Sequence, residues 1–478
     1  MDYLLGIDIG TTSVKTIAFS KEGIMLSSFS VSYGIDHPFP DWSEQDPEEI
    51  VSAVIQTVEK ILQDCAPALP KLCSFSSAMH SLIAVDQQGL AISPSIIWAD
   101  NRASGISARI HKENRAEEFY QLTGLPVHAM SPFCKLIWLK ENQEEIFKKA
   151  HKFIGIKEYI FYRLFGIFAI DVSVASATGL LNARTLEWEP QILGMLGITK
   201  ERLAEIVSID KVFYGALLFP SLEQIPFVIG GSDGAMANLG STEEARSLVI
   251  TVGTSSAARI ILNKPWIDPR MRTFCYFINN NQWLIGGASN NGGIVLQWLQ
   301  EDFFKSDKTV TQFLAQAALV RPGSDGLIFL PYLLGERAPI WDENAKGILF
   351  GVQIGHSQAT MIRASLEGIV YCIFAVSQAI LEQSDILQIV ATGGFARNEL
   401  GLQIMADVFN LPVLVCDTIE NSAWGAAKCG MMALGLQAPP KTPIGKTYHP
   451  NSSAHVVYKK GFLKFQQLYE KLKDEFIG

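Results

Sequence analysis

The feature that most constrains the fold is a pattern that occurs twice, half a chain apart. An apolar run with strand composition, Leu4–Ile9, ends in the turn Gly10-Thr11-Thr12-Ser13, and a second apolar run follows. Far downstream, residues 248–252 end in Gly253-Thr254-Ser255-Ser256, and an apolar run follows again. The two glycines lie 243 positions apart in a chain of 478 residues. This repeat at half-chain spacing predicts two domains of one plan.

Helical patterns alternate with the strands in both halves. Asp46-Pro47-Glu48-Glu49 has an N-cap residue, an early proline and acidic residues, and apolar residues at helical spacing follow. Residues 357–381 predict one long, buried helix. The remaining predicted elements are strands at 14–19, 24–29, 257–262, 387–391 and 412–416, and helices at 398–409 and 421–434. The fold class is therefore α/β, and a charged, small-residue stretch at 242–245 divides it into domains 1–244 and 245–478.

Charge and composition exclude several classes of protein. Lys plus Arg number 39 against 48 for Asp plus Glu, which argues against nucleic-acid and anionic-membrane partners. The sequence has no uninterrupted apolar run of about 18 residues, the length that a bilayer requires. Its seven cysteines include no CxxC pair, and its histidines form no HExxH pair. We therefore expect a cytoplasmic protein without disulfides or a transition-metal site.

The first of the two turns carries residues suited to phosphate chemistry. Asp8 ends a buried strand directly before the turn, and a carboxylate there can hold hydrated Mg²⁺. The backbone N–H groups and hydroxyls of such a turn can meet phosphate oxygens. Because Gly253-Thr254-Ser255 repeats the arrangement, two hairpins could grip one polyphosphate. The alternative is an ordinary tight hairpin without a ligand.

The segment Gly230-Gly231-Ser232-Asp233-Gly234 allows two chemical interpretations. It matches G-x-S-x-G, the nucleophile turn of serine hydrolases, with Ser232 as the nucleophile. Alternatively, Asp233 stands at a strand end among glycines, where a carboxylate can act as a general base for a hydroxyl. An inert glycine-rich turn is the third possibility.

A further glycine turn, Gly393-Gly394-Phe395-Ala396-Arg397-Asn398, lies between a predicted strand and a helix. Two glycines without side chains form a flat shelf on which a purine could lie, beside a helix N-terminus. Glycine pairs also serve only for packing. Gly445-Lys446-Thr447 is not a P-loop, because Pro440 stands where the first glycine of that motif belongs.

These motifs together resemble the FGGY family of carbohydrate kinases. The Asp8–Lys15 segment, the Gly230–Gly234 segment, Thr251-Val-Gly-Thr-Ser255, the block Gly335-Glu336-Arg337-Ala338-Pro339 with Trp341, and Gly393–Asn398 occur in the order seen in that family. The resemblance covers residues 4 to about 435. It implies two actin-like (ribonuclease-H-like) domains, with ATP and a sugar meeting in the cleft between them.

The resemblance also implies roles for particular residues. Asp233 would be the catalytic base, and Asp8 with Asp233 would hold Mg²⁺. The expected contacts to ATP are made by Thr11, Thr12, Ser13, Lys15, Gly253, Thr254, Gly393, Gly394 and Asn398. The expected partners are small molecules, ATP and a sugar or sugar acid, and a homodimer is possible. An actin-type or chaperone-type ATPase would use the same nucleotide cleft, so it stays as a distant alternative beside the hydrolase.

Within the family, several stretches are similar to bacterial gluconokinases, which implies D-gluconate as the acceptor. The residues expected to bind the substrate are Met79, His80, Trp98, Asp100, Arg102, Lys157 and Asp233. His80, Arg102 and Lys157 could donate hydrogen bonds to a carboxylate, for which a planar guanidinium is well suited. Each could instead have a plain role: His80 holding a sugar hydroxyl, Arg102 and Lys157 at the surface. Xylulokinases share a Met-His pair and a Trp-x-Asp pattern, so xylulose or another ketose or polyol remains the alternative acceptor.

Overall fold

The computed structural model describes residues 2–242, 244, 246–416, 420–437 and 444–476. The predicted domain boundary at 242–245 therefore includes two residues, 243 and 245, that lie outside the described residues.

The first half begins with a β-hairpin and ends with the helix that starts at Asp233. Its strands are β1 (Leu4–Ile9), β2 (Ser13–Phe19), β3 (Met25–Ser32), β4 (Glu44–Gln45), β5 (Cys73–Ser77), β6 (Ile83–Val85), β7 (Ser95–Ile96), β8 (Lys152–Ile154), β9 (Ala169–Asp171), β10 (Glu205–Val207), β11 (Val212–Phe213) and β12 (Phe227–Ser232). Its helices are α1 (Pro47–Asp64), α2 (Ser104–Lys112), α3 (Ala116–Thr123), α4 (Pro132–Asn142), α5 (Glu144–Lys149), α6 (Ile156–Phe165), α7 (Val172–Ser176), α8 (Pro190–Leu196) and α9 (Asp233–Ser241).

The second half again opens on a β-hairpin. Its strands are β13 (Ser247–Val252), β14 (Ser256–Leu262), β15 (Phe274–Phe277), β16 (Trp283–Ser289), β17 (Ile328–Leu330), β18 (Ile348–Phe350), β19 (Gln388–Thr392), β20 (Val413–Cys416) and β21 (Ile444–Tyr448). Its helices are α10 (Gly293–Trp298), α11 (Val310–Ala315), α12 (Gln358–Gln383), α13 (Glu399–Phe409), α14 (Asn421–Ala433) and α15 (Ser452–Leu472).

The two halves are built on the same sheet. The first has the strand order β3-β2-β1-β5-β12-β11, and the second has β16-β14-β13-β19-β20-β21, with β15 added outside β16. In each sheet the first three strands in this order are antiparallel to their neighbours. The next two run parallel to the third strand, which is β1 or β13, and the last is antiparallel to its neighbour. The predicted α/β class and the two domains of one plan are confirmed.

Local sequence signals set the helix boundaries where we expected them. Asp46 caps α1 by accepting a hydrogen bond from the backbone N–H of Glu48. Ser357 caps α12, and Asn398 caps α13. The predicted strands match the observed ones to within about three residues at each end, a normal uncertainty for boundaries.

α12 is long and apolar enough to cross a membrane by length and composition, but 78% of its apolar window is buried inside the protein. Its charged residues Arg363 and Glu367 form a buried ion pair of 3.0 Å. α12 contributes Ile362, Leu366 and Ile369 to the core of the second half. It is therefore the central helix of that core.

One helix lies on the other side of the boundary that the sequence predicts at residues 244/245. α14 belongs to the second half of the sequence, yet its residues Ala423, Trp424 and Ala427 pack on the first sheet, against an apolar set made of Leu4, Ile17, Phe19 and Leu72. α14 also crosses α9 at very short distance. A Cβ at Gly425 would lie 1.8 Å from the carbonyl oxygen of Met236, and one at Gly240 would lie 2.0 Å from that of Asn421. Glycine is therefore required on both helices, and the crossing joins the halves.

Candidate active site

The first hairpin presents a carboxylate oxygen that has no hydrogen-bond partner in the described part of the chain. Asp8 lies on β1 opposite Lys15 on β2 and beside Ser76 on β5, and its Oδ1 is buried without a partner. Burial, with a smaller contribution from the carboxylate of Asp233, raises the pKa of Asp8 to about 7 against the lowering effects of Ser76 and Lys15. Two neighbouring acids at the ends of β1 and β12 form a site that a cation would stabilise.

The turn after Asp8 is held by contacts from the rest of the first half. Tyr33 donates from its hydroxyl to the carbonyl of Gly10 at 2.5 Å, and Gln45 donates to the carbonyl of Thr11 at 2.6 Å. The indole N–H of Trp98 donates to the Thr11 hydroxyl at 2.9 Å. That hydroxyl keeps its own proton, so it can still donate to a phosphate oxygen. Thr12 is exposed at the tip of the turn.

Lys15 and Ser13 lie on β2, which leads away from the turn. The Lys15 ammonium forms an ion pair of 2.8 Å with Glu420, the residue before α14. Lys15 thereby ties the first hairpin to the second half of the sequence. Its predicted contact with ATP would need this half-exposed pair to open, and both Lys15 and Ser13 stay predictions as nucleotide ligands.

The second hairpin lacks the carboxylate of the first. Thr251 takes the position before Val252 and Gly253, and its hydroxyl lies 2.9 Å from that of Thr392 on β19. Gly253 and Thr254 are exposed. The backbone N–H of Gly293 donates to the carbonyl of Gly253 at 2.7 Å, so the start of α10 supports the turn. The result is an open turn with neutral polar groups.

The predicted purine shelf follows β19. Gly393 has φ of +82°, and a Cβ there would lie 2.5 Å from the carbonyl oxygen of Val252. Gly394 has open space where a side chain would stand. Asn398 caps α13 through its side-chain oxygen, which accepts from Gly401 at 3.1 Å, while its Nδ2 is buried without a partner. A donor left open beside a bare glycine fits a nucleotide base or ribose.

Asp233 begins α9 directly after β12. Its Oδ1 accepts from the backbone N–H of Gly234 at 2.6 Å. Burial raises the pKa of Asp233, whereas the guanidinium groups of Arg259 and Arg337 act in the opposite direction. Gly230 has φ of +64°, and a Cβ there would lie 1.8 Å from the carbonyl oxygen of Phe75, so the strand can approach β5 only with glycine.

Ser232 is not placed to act as a nucleophile. It is 0% exposed, and its hydroxyl accepts a hydrogen bond from the backbone N–H of Ala235 at 3.3 Å to cap α9. Its own backbone N–H donates to the Ser173 hydroxyl at 2.8 Å. The serine hydrolase interpretation of this segment is therefore wrong.

His80 lies on the loop after β5 with Met79, and its backbone has φ of +68°. Its Nδ1 lies 2.8 Å from the carbonyl oxygen of Ala177. A carbonyl can only accept, so Nδ1 carries the proton and Nε2 is left as an acceptor. Burial lowers the pKa of His80 to about 3, with help from Lys135 and Arg337. The expectation that His80 donates to a carboxylate is wrong, and it can instead accept from a sugar hydroxyl.

The expectation that Asp100 and Arg102 face a substrate is also wrong. The Arg102 guanidinium donates to both oxygens of Asp100 at 2.8 Å and to Glu44 at 2.6 Å. It stacks on the ring of Trp42 at 3.7 Å. Asp100 also accepts from the backbone N–H of Ser43 at 2.7 Å. This network is buried within the first half, where it fastens the loop that carries Trp98.

Lys157 is engaged in the same way. Its ammonium, 1% exposed, lies 2.6 Å from Asp171 and 3.3 Å from the carbonyl oxygen of Gly231. Two of its three N–H donors therefore hold the strand that leads to Asp233, and its charge is paired with Asp171. Trp98 and Met79 stay predictions as sugar contacts. Arg337 lies over one face of the Trp98 ring at 4.8 Å, and Met79 is partly buried on the loop of His80.

Sequence analysis missed three cations around this cleft. Lys135 is buried, and its ammonium donates to the carbonyls of His80 and Ile97 at 2.7 Å and of Ile96 at 3.2 Å. It holds the His80 loop against the Trp98 segment. Arg259 and Arg337 come from the second half and act on Asp233. Only Arg337 had a sequence signal, as part of the Gly335–Pro339 block.

Two family models match the chain in tandem. The N-terminal domain of the FGGY family of carbohydrate kinases matches residues 3–240, and the C-terminal domain matches residues 248–434. Among known proteins, the gluconokinase of Bacillus licheniformis is 40% identical over 99% of this chain and 97% of its own length. The xylulose kinase of Staphylococcus xylosus is 33% identical over 90% of this chain and 91% of its own.

Solved structures give the same picture for the backbone. The gluconate kinase from Lactobacillus acidophilus has a TM-score of 0.94 at 34% identity, covering 98% of both chains. The ligand-bound xylulose kinase from that organism has a TM-score of 0.95 at 34% identity, covering 100% of this chain and 99% of its own. The backbone therefore does not separate the two acceptors, whereas the sequence comparison favours gluconate.

Proposed function

The chain belongs to the FGGY family of carbohydrate kinases, and on that premise we propose that it transfers the γ-phosphate of ATP to the 6-hydroxyl of D-gluconate. It is an ATP-dependent phosphotransferase with a sugar acceptor. The observation that carries the proposal is the carboxylate of Asp233, which is hydrogen-bonded to no cation among the described residues and interacts with Asp8 of the first hairpin and Arg259 of the second. The choice of gluconate rests on the 40% identity to a gluconokinase.

Asp233 acts as the general base in this proposal. It orients the acceptor hydroxyl and takes its proton as the phosphoryl group transfers. A loose transition state requires little nucleophilic push, so a carboxylate is basic enough. The raised pKa of Asp233 increases its basicity, and its position at the first residue of α9 fixes its direction.

The residues around Asp8 fit a magnesium ion. Mg²⁺ takes one or two carboxylates, keeps several waters and binds substrate phosphates, so a cluster of three acids is not needed. Asp8 supplies a buried oxygen without a partner, and Asp233 lies near enough to raise its pKa. When bound, Mg²⁺ would neutralise charge on the phosphates of ATP.

The nucleotide contacts divide between the halves. Thr11, Thr12, Gly253 and Thr254 would position the β- and γ-phosphates, because the two turns present backbone N–H groups and hydroxyls. Gly393, Gly394 and Asn398 would hold the adenosine. In the sugar pocket, Nε2 of His80 would accept from a hydroxyl, and Trp98 would offer its ring to C–H groups.

The cysteines and the nucleotide agree with a cytoplasmic location. Six cysteines in the described residues, Cys65, Cys73, Cys134, Cys275, Cys372 and Cys429, are free thiols. Reduced thiols and an ATP requirement both suit the cytoplasm. A homodimer stays a prediction.

The test is ADP release from MgATP by the purified protein with D-gluconate, D-xylulose, L-ribulose, glycerol and no acceptor. We expect strong stimulation by gluconate. Greater stimulation by xylulose, the acceptor named for the 33% identical relative, would contradict the choice of acid while keeping the kinase. Turnover that needs no acceptor would contradict sugar phosphorylation itself.

A further inference from the structure

Two guanidinium groups of the second half reach the cleft, and each makes only one long side-chain hydrogen bond within the described part of the chain. Arg337 is 8% exposed, and its Nε is buried without a partner. Its one hydrogen bond from a side-chain nitrogen is a long one, 3.3 Å from Nη2 to the carbonyl of Ser289. Arg259, on β14, has a buried Nε without a partner and a contact of 3.4 Å from Nη1 to the hydroxyl of Thr251. Each guanidinium carries five N–H donors.

Both groups act on the same small volume. Arg259 and Arg337 each interact with Asp233 and with the phenol of Tyr276. A Cβ at Gly234 would lie 3.0 Å from Nε of Arg259, so that guanidinium stands directly against the start of α9. Arg337 lies over the ring of Trp98. The two arginines thus face the catalytic base and the sugar pocket together.

Two acids act on the guanidinium groups, and neither takes up all of their N–H groups. Glu336 acts on Arg337, but its carboxylate accepts from the Ser289 hydroxyl at 2.7 Å and from the backbone N–H groups of Asn290 and Arg337. Asp233 acts on both arginines and accepts from the backbone N–H of Gly234. The guanidinium N–H groups that these acids leave open can bind a further anion.

We propose that Arg259 and Arg337 bind the carboxylate of the sugar acid and thereby select an acid over a neutral acceptor. This inference rests on the proposed function and names the groups that read its substrate. It replaces the earlier expectation for Arg102 and Lys157, whose charges are already paired with acids of the first half. A planar guanidinium with free N–H groups matches the geometry of a carboxylate.

The location of Arg259 and Arg337 also connects recognition of the carboxylate with movement of the halves. The hydroxyl acceptor His80 and the Trp98 ring belong to the first half, whereas both arginines belong to the second. A sugar acid whose hydroxyls meet Asp233 and His80 and whose carboxylate meets the arginines is held by both halves. It therefore favours the closed arrangement, which excludes water from the phosphoryl group.

The test compares D-gluconate with D-glucitol, which has the same carbon chain and a CH₂OH group in place of the carboxylate. Dissociation constants come from calorimetry on wild type, Arg259→Met, Arg259→Lys and Arg337→Met. Charge-assisted hydrogen bonds contribute about 1.5–3 kcal/mol, so we expect gluconate binding to weaken about 10- to 100-fold in the Met variants. Glucitol binding should change less than about threefold, and Arg259→Lys should fall between wild type and Arg259→Met.

Arg270→Met is the matched control. Arg270 is an exposed arginine of the same half, and it contacts Glu382 at 2.6 Å. It should leave both dissociation constants at wild-type values. Thermal unfolding of each variant checks that the fold is kept. If Arg259→Met is unstable, the comparison is made with Arg259→Lys, which retains the charge.

Three outcomes count against the inference and differ from one another. Equal loss of gluconate and glucitol binding means that the arginines do not distinguish an acid. A fall in kcat for every acceptor, with unchanged gluconate binding, assigns them to the transferring phosphoryl group. A wild-type protein that phosphorylates a neutral acceptor and ignores gluconate overturns the proposed function, and this inference with it.

Discussion

The two halves share one sheet and differ in charge at the cleft. At the strand ends the first half presents the carboxylates of Asp8 and Asp233, where the second presents Thr251 and bare glycines. The cations differ in the opposite sense. In the first half Arg102 and Lys157 are paired with acids, whereas in the second half Arg259 and Arg337 each have a buried Nε without a partner among the described residues. In the proposed mechanism a repeated fold thus divides the chemistry, with the proposed base and magnesium ligands on one side and the proposed anion donors on the other.

Asp233→Asn should have the largest effect, because it removes the carboxylate that we propose as the general base. General-base catalysis contributes about 10²- to 10⁴-fold, so we expect kcat with gluconate to fall about 1000-fold. Steady-state assays of ADP release measure it. ADP binding, followed by calorimetry, should stay near wild type, and unimpaired turnover would remove Asp233 from the role of base.

Lys157→Met tests whether a cation that is already paired with a buried acid contributes to stability and not to substrate specificity. Breaking a buried ion pair costs about 3–5 kcal/mol, because the remaining Asp171 charge is left uncompensated. Denaturant unfolding should show this loss, and KM should change equally for gluconate and a neutral ketose. Lys148→Met, which breaks an exposed pair with Glu144, is the control and should cost less than about 1 kcal/mol. A selective rise in KM for gluconate would contradict this assignment.

Asp8→Thr copies the residue of the second hairpin into the first. We expect kcat to fall about 100-fold and the Mg²⁺ concentration for half-maximal rate to rise, since one of at most two protein carboxylates is lost. Threonine suits a strand, so the fold should be kept. Titration of activity with MgCl₂ is the measurement. An unchanged magnesium requirement would show that the two hairpins are equivalent in this respect.

His80→Gln should have the smallest effect. Glutamine keeps an acceptor oxygen but not the position of Nε2, so KM should rise by no more than about tenfold. This rise corresponds to about one hydrogen bond and should be the same for acid and neutral acceptors. The pKa of His80, about 3, means that the ring is neutral above pH 5 and gains charge only as pH falls through 3. The ratio of KM between variant and wild type should therefore stay constant from pH 5.5 to pH 8.5. A ratio that changes near pH 6.5 would show a protonated His80.

The repeated plan was predictable because strand periodicity, turn residues and helix caps are local in sequence. The same holds for Asp8, Asp233 and the glycine turns, which the chain places at strand ends. The hydrogen-bond partners of the basic side chains were not predictable. Glu44, which helps to close Arg102, lies 58 positions away, and the hydrogen bond that fixes the tautomer of His80 spans 97 positions. Whether a donor is free depends on such distant contacts, and no spacing within a motif encodes them.

The crossing of α9 and α14 is reciprocal. In each helix a glycine meets the carbonyl of the partner, and that carbonyl belongs to the residue four positions before the partner's own glycine: Met236 before Gly240, and Asn421 before Gly425. Reciprocal contacts of this kind have the pattern of an isologous, two-fold symmetric interface. The two helices therefore meet through like positions, and a side chain added at either glycine would push apart both helices together.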